Sequence, residues 1–253
     1  MDLAAVPDLP EIRPGDDLAS LVAERADLEP GDVLTVASTV VSKAEGRGAN
    51  LADYTAGERA RDIAARIGDL TGEKKDPRFA QAVLEESDEL LLEVPFLLSV
   101  TQFGHVCVNA GVDRSNVPEE DLLLLPEDPT ASAERIRSNL PVEDVAVVVT
   151  DTCGRPFRYG QRGVAIGWAG LPASRDWRGE RDRDGRLLEV AVESVVDELA
   201  AAGNLLAGEG SGGRPVIRIR GFSFGDHDGS DTLFRTEADD LVRQALRGWE
   251  FHA

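Results

Sequence analysis

Three short apolar runs constrain the fold of this chain more than anything else in its sequence. They are Val33–Ala37, Val106–Val108 and residues 145–149. None shows the in-and-out alternation of a strand with one face in water, so each suits a strand buried inside a sheet. Short polar or acidic residues follow each run at once: Ser38-Thr39, then Asn109-Ala110-Gly111 with Asp113 beyond, then Thr150-Asp151-Thr152. Open α/β sheets bind ligands outside the carboxyl ends of their strands. The three segments therefore predict an α/β fold, a mixed sheet with helices, and nominate one common site. Further strands are predicted over residues 164–167 and Val216–Arg220.

Helix signals fill the gaps. Asp16 precedes the stripe Leu18, Leu21, Val22. Thr55 and Glu58 have capping-box spacing ahead of Ile63, Ala64 and Ile67, with Gly68 placed to close that helix. Asp76-Pro77 reads as a cap and first-turn proline. Pro129 starts a helix to about Arg137. The longest helix is predicted over residues 187–206, with Leu188, Ala191, Val192, Val195, Val196 and Leu199 inward. A last one covers residues 237–249.

At 253 residues the chain has material for one domain over residues 1–253, with room for two subdomains. No apolar run approaches the roughly 18 residues of a spanning helix. The first residues carry no basic segment or apolar core of a signal peptide. Two cysteines, Cys107 and Cys153, make no secreted-type disulfide framework. A cytoplasmic location is the expectation. The formal charge is −20, from 47 acidic against 27 basic residues, and only Lys43, Lys74 and Lys75 are lysines. Nucleic acid and anionic membranes would be repelled. A lysine-poor acidic surface fits a salt-rich, halophilic cytoplasm, where excess carboxylates keep a protein hydrated and soluble.

Four constellations carry chemistry. Asp113, Asp151, Thr152 and Glu209 offer only hard oxygen ligands, which suit magnesium or manganese; ordinary loop acids of an acidic chain are the alternative. A glycine-rich stretch, Leu206-Ala-Gly-Glu-Gly-Ser-Gly-Gly, lets backbone amides approach an anion. It lacks the Gly-Lys-Ser/Thr of a Walker loop, and a plain helix-to-strand connection is its bland interpretation. Ser38, Thr39 and Lys43 put two hydroxyls and a point-charge phosphate binder after a strand. Arg155, Arg158 and Arg162 are dense enough to clamp carboxylates or phosphates, with Trp168 and Trp177 available to stack on an aromatic ligand; balancing the acidic surface is the alternative. Zinc at His105, Cys107, Cys153 and His227 lacks paired-ligand spacing. A calcium loop from Asp226 through Asp228, Ser230 and Glu237 has Asp231 where glycine is needed.

Long stretches of the chain resemble the coenzyme F420:L-glutamate ligase family. They are LPEI near the start, DVLTVASTVVSKAEGR, FAQAVLEES, GHVCVNAGVDRSNV, TDTCGRPFRYGQRGVAIG and NLLAGEGSGG, which run in order over nearly the whole chain. The resemblance implies a GTP-dependent ligase on an α/β fold of its own. It would add L-glutamate to coenzyme F420-0 and then a second glutamate in gamma linkage. It would use magnesium or manganese, two ions per site, with potassium, and work as an intertwined homodimer. Asp113, Asp151, Thr152 and Glu209 match the metal ligands. Leu9, Pro10, Glu11, Ile12, Ser38, Thr39, Lys43 and Asn116 match GTP-contacting positions. So do Ala207, Gly208, Glu209, Gly210, Ser211, Gly212, Gly213 and Arg214. Lys43 is expected to hold phosphates, and Arg155 or Arg158 a carboxylate or phosphodiester of the acceptor. Some relatives carry a second, flavin-binding domain, for which this chain is too short. A metal-dependent nucleotide hydrolase or kinase, or a non-catalytic GTP-binding protein, would share the phosphate-handling residues.

Overall fold

A computed structural model describes residues 1–249. In chain order the first half forms β1 (Asp2–Ala5), α1 (Leu18–Ala23), β2 (Val33–Ala37), α2 (Ser38–Ala44), β3 (Gly48–Ala49), α3 (Glu58–Thr71), α4 (Pro77–Glu85), β4 (Ser87–Leu92), β5 (Leu98–Thr101), β6 (Val106–Val108) and β7 (Leu122–Leu123). The second half forms α5 (Pro129–Asn139), β8 (Ala146–Arg155), β9 (Arg158–Ala169), β10 (Ser174–Asp176), β11 (Val192–Ser194), α6 (Val195–Ala207), β12 (Val216–Arg220), β13 (Asp228–Ser230) and α7 (Leu241–Arg247). The chain divides into two compact units, and the fold is mixed α/β as expected. Unit 1 is Met1–Glu45 with Asp128–Leu233; unit 2 is Gly46–Glu127 with the chain from Phe234 onward.

Unit 1 is built on a five-stranded sheet in the order β1-β12-β2-β8-β9. β2 and β8 run parallel; the other neighbours are antiparallel. The predicted apolar runs fill its middle: Leu34, Val36, Val147, Val148, Val149, Ile217 and Ile219 are buried. Glycines set how closely the helices approach. A Cβ on Gly203 of α6 would stand 2.2 Å from Thr35 Oγ1 of β2, and one on Gly163 of β9 would stand 2.6 Å from the Ala200 carbonyl oxygen of α6. Gly167 gives α5 the same access at Pro129. A second sheet, β11-β10-β13, is antiparallel throughout. On it Arg175 points its guanidinium at the rings of Trp177, Phe222 and Phe224, at 5.7, 5.7 and 5.2 Å.

Unit 2 packs α3 and α4 over a core that includes Ile63, Ile67, Phe79, Val83, Leu97 and Leu122. Its sheets are β4-β5-β6 and β3-β7. The last helix, α7, buries no residue and is held to β4 by Arg243 and Arg247, both paired with Glu89.

Several expectations from the sequence need correction. The 187–206 helix is only α6, because β-branched Val192 joins β11 and pairs with β10; the longest helix is α3, with 14 residues. The last helix begins at Leu241, since the Asp240 carboxylate accepts from the Val242 and Arg243 amides. Asp17, not Asp16, caps α1, accepting from the Ala19 and Ser20 amides. Gly57 precedes α3 with no side-chain cap, so Thr55 plays no such part, and Gly72 (φ 74°) closes the helix instead of Gly68. Residues 145–149 lengthen to β8 and residues 164–167 to β9, so Thr150-Asp151-Thr152 lies within a strand. Val106–Val108 is not a buried central strand. It belongs to the unit 2 sheet, pairs on one side with β5, and exposes Val106 and Val108.

Candidate active site

The acidic motif lies on the β8–β9 ladder. Asp151 pairs with Val164 and Thr152 with Gly163. At Gly163 the side-chain space is taken by α6, where Asn204 Cβ would stand 2.8 Å from an added methyl. Asn204 in turn donates from Nδ2 to Glu209 Oε1 at 2.9 Å. A chain of direct contacts thus runs from Thr152 across Gly163 and Asn204 to Glu209. The helix is pinned there by Asp197, which accepts from the Ala165 amide at 2.9 Å and stands 3.7 Å from Arg162. Burial, with Asp151 beside it, pushes the Cys153 thiol up to about 12, so it adds no negative charge at neutral pH.

Asp151 and Thr152 on β8 and Glu209 after α6 all lie in unit 1 and offer only oxygen ligands, the type that suits a hard divalent cation. Asp113 belongs to unit 2. There it bridges Leu123, and its carboxylate accepts from the Arg114 and Ser115 amides and the Ser115 hydroxyl, at 2.6, 3.0 and 2.5 Å. Among the described residues, no three His, Cys, Asp or Glu side chains gather as a metal cluster.

The residues matched to GTP contacts fall largely in unit 1. β2 runs directly into α2, whose first turn holds Ser38, buried, and Thr39. Lys43 lies in the last turn of α2, its side chain only 14 % exposed, and Nζ sits 2.5 Å from Glu11 Oε1. This ion pair brings the Leu9, Pro10, Glu11, Ile12 segment to the lysine, with Ile12 buried beneath. The 207–214 stretch leaves the end of α6. Gly208 (φ 73°) and Gly213 (φ 61°) hold left-handed turns that favour glycine. Gly210 needs no such angle, and a Cβ there would meet nothing within 4 Å. Asn116, with φ 56°, is exposed in unit 2.

The arginine-rich segment is a hairpin. Arg155 and Arg158 stand opposite each other across the turn at Pro156 and Phe157. Trp168 is buried, its Nε1 3.4 Å from Asp231, and Trp177 packs on His227 with ring centres 4.1 Å apart, so neither indole stands open as the expected stacking platform. His105 and Cys107 lie in unit 2 and Cys153 and His227 in unit 1. Asp228 and Ser230 lie on β13, so the calcium-loop spacing spans a strand. The sequence also hid Lys75. It is half-buried, its Nζ 5.2 Å from the Phe79 ring centre, and burial lowers its pKa. With Arg61 and Lys74 it lines an open depression of about 730 Å³ in unit 2.

A mixed α/β sheet that carries carboxylates, a lysine and a glycine-rich turn on its strands and connections has the layout of an enzyme. Comparison with known proteins narrows that class. A profile of the F420-0:gamma-glutamyl ligase family matches residues 8–221. Coenzyme F420:L-glutamate ligase of Natronomonas pharaonis is 68 % identical over 251 residues, 99 % of this chain and 98 % of the relative. The protein of that name from Halorubrum lacusprofundi is 66 % identical over 251 residues, 99 % of both chains. The one from Archaeoglobus fulgidus is 49 % identical over 250 residues, 98 % of both. The chain belongs to the F420-0:gamma-glutamyl ligase family. No helix among the described residues is long and apolar enough to cross a membrane.

Proposed function

We propose that this protein joins L-glutamate to coenzyme F420-0 in coenzyme F420 biosynthesis, at the expense of GTP. Family membership supports the overall reaction. The observation that supports the site is the chain of contacts from Thr152 through Gly163 and Asn204 to Glu209.

A carboxylate is a poor acyl donor, so amide formation needs activation. An oxygen of the acceptor's terminal carboxylate attacks the γ-phosphorus of GTP; the bond to the β-phosphate oxygen breaks, and GDP leaves. The glutamate amine then attacks the acyl carbon of the resulting acyl phosphate. Inorganic phosphate departs, and the nitrogen gives up a proton as the amide forms. Repeating the cycle on the new side-chain carboxylate gives the gamma-linked second glutamate.

Two anions must meet in the first step, and this chain supplies the groups that permit it. Lys43 holds the β- and γ-phosphates once its Glu11 partner yields. The backbone amides of residues 207–214 close on the phosphates, with Gly210 leaving room. Arg155 holds an anionic group of the acceptor, such as its phosphodiester. Asp151, Thr152 and Glu209 would hold magnesium or manganese, which when bound would screen the phosphate charge and polarise it for attack; Asp113 is a ligand by the family resemblance alone. Potassium as a further cation, and a homodimer, come with the family resemblance.

The test is incubation with GTP, L-glutamate and F420-0, followed by mass spectrometry. The expected product is one and then two glutamyl units heavier than F420-0, with GDP and phosphate released in step. GTP consumed without glutamate or F420-0 would make the protein a hydrolase and overturn the proposal. Binding of GTP without turnover would overturn it too.

A further inference from the structure

The β8–β9 hairpin carries groups that neither the phosphate chemistry nor the core uses. Phe157 and Tyr159 are 105 % and 104 % exposed, the two most exposed aromatic side chains of the described residues. Water-facing aromatic rings forgo much of the burial that makes such side chains useful. Phe157 also sits at φ 65°, a left-handed angle that a bulky residue rarely adopts. Beside the rings, Arg155 and Arg158 are cross-strand partners. Like charges directly opposed destabilise a ladder, and among the described residues neither guanidinium is paired with a carboxylate. This happens in a chain of net charge −20, with acids available almost everywhere else.

We propose that this hairpin is the arm that grips the acceptor of the ligation: Phe157 and Tyr159 stack on its flat deazaflavin ring, and Arg155 with Arg158 neutralises its anionic tail. The inference rests on the ligase reading above and extends it to the second substrate. An anion placed across Arg155 and Arg158 removes the like-charge cost and supplies bidentate pairing. The arm is continuous with the chemistry, because Arg155 lies four residues along the same strand from Asp151. At strand spacing that is about 13 Å, a length a ring-and-tail molecule can bridge with its terminal carboxylate at the phosphate. The net charge of −20 repels an anion overall, so a local positive arm also steers the acceptor to the correct end of the sheet. A second copy of the chain is the competing occupant. Arm-to-arm contact about a two-fold axis would bring four guanidiniums together, which disfavours it.

The test measures steady-state constants and equilibrium dialysis of F420-0 for the double variant F157A/Y159A, for Arg158→Ala and for Arg158→Lys. All three sites are exposed, so the fold is retained, which unchanged melting verifies. In the double variant KM and Kd for F420-0 rise about ten-fold or more, which corresponds to about 1.4 kcal/mol of lost stacking. KM for GTP and for glutamate stays at the wild-type value. Arg158→Ala also weakens F420-0 binding, and Arg158→Lys restores part of it. F420-0 affinity unchanged in the double variant overturns the proposal. So does a change of molecular mass in light scattering with affinity intact, which would assign the arm to an interface between copies. If wild-type protein makes no glutamylated product, the ligase reading fails separately, while dialysis still decides whether the arm binds F420-0.

Discussion

Lys43 and Asp32 show what single residues reveal from sequence and what they conceal. Lys43 stands out because lysine is rare in this chain, and the structure gives it a mostly buried side chain with one carboxylate partner, Glu11. Replacing it with alanine should lower kcat/KM for GTP about a hundred-fold or more, the size of effect seen when a preorganised charge is removed from a phosphate or oxyanion. Glu11→Gln should cost far less, because phosphate rather than Glu11 is the working partner of the lysine. Steady-state kinetics on the two variants separates these outcomes. Asp32 was invisible among 47 acids. It is 1 % exposed, and Arg220 reaches it from 188 residues away with two hydrogen bonds of 2.8 Å. Burial pushes its carboxyl up, but Arg220 and the Glu29 amide outweigh this, so the net shift is downward from 3.8. The folded state therefore binds this proton less readily than the unfolded chain. Its stabilisation is fully present above the unfolded pKa and is lost as pH falls through the lower folded value. Asp32→Ala should destabilise by about 1–3 kcal/mol at neutral pH, because the Glu29 amide and two donors of Arg220 lose their acceptor, although Arg220 keeps Glu29 and the Asp27 carbonyl. The deficit relative to wild type should shrink below about pH 4, which denaturant melts across pH would show.

At the scale of elements, the strands were the most legible part. β2 and β12 appear with the bounds expected from their apolar runs, while β8 and β9 run past theirs into the polar motif. Apolar content marks where a strand is buried but cannot mark where its ladder stops; Asp151 and Thr152 continue pairing because β9 is present to pair with. The 187–206 helix failed for the complementary reason. Its apolar spacing satisfied a helix, but Val192 found a strand partner in Asp176 of β10, a pairing that apolar spacing along one segment does not show. The close approach of α6 was equally hidden, since nothing marks Gly163 as special until the Ala200 carbonyl is seen 2.6 Å from its missing Cβ. Gly163→Ala should destabilise by about 1–3 kcal/mol through overpacking. It should also lower activity, because Asn204, which holds Glu209, moves with the helix. Gly210→Ala, by contrast, should leave the melting temperature unchanged and raise KM for GTP. Thermal melts beside kinetics on the two variants distinguish a packing glycine from a ligand-facing one.

For the whole molecule, net charge and chain path matter most. A charge of −20 repels itself at low ionic strength. Raising potassium chloride from 0.1 M to 2 M shortens the screening length from about 10 Å to under about 3 Å, so the melting temperature should rise with salt. A flat or falling curve in thermal scans would mean that ion pairs such as Arg243 and Arg247 with Glu89 matter more than the overall repulsion. The division into two units was only partly foreseeable, because the sequence has no linker to announce it. Unit 2 is largely an insertion between α2 and α5, which returns the chain to unit 1 at Asp128. That path sets a timetable for synthesis. β1, at residues 2–5, finds its ladder partner in β12, at residues 216–220. A ribosome adding about 5–20 residues per second needs about 10–40 s to make the intervening chain. Throughout that interval the first strand of the nascent protein waits with its edge unpaired, and partway through it the segment that becomes most of unit 2 is completed and can fold ahead of it.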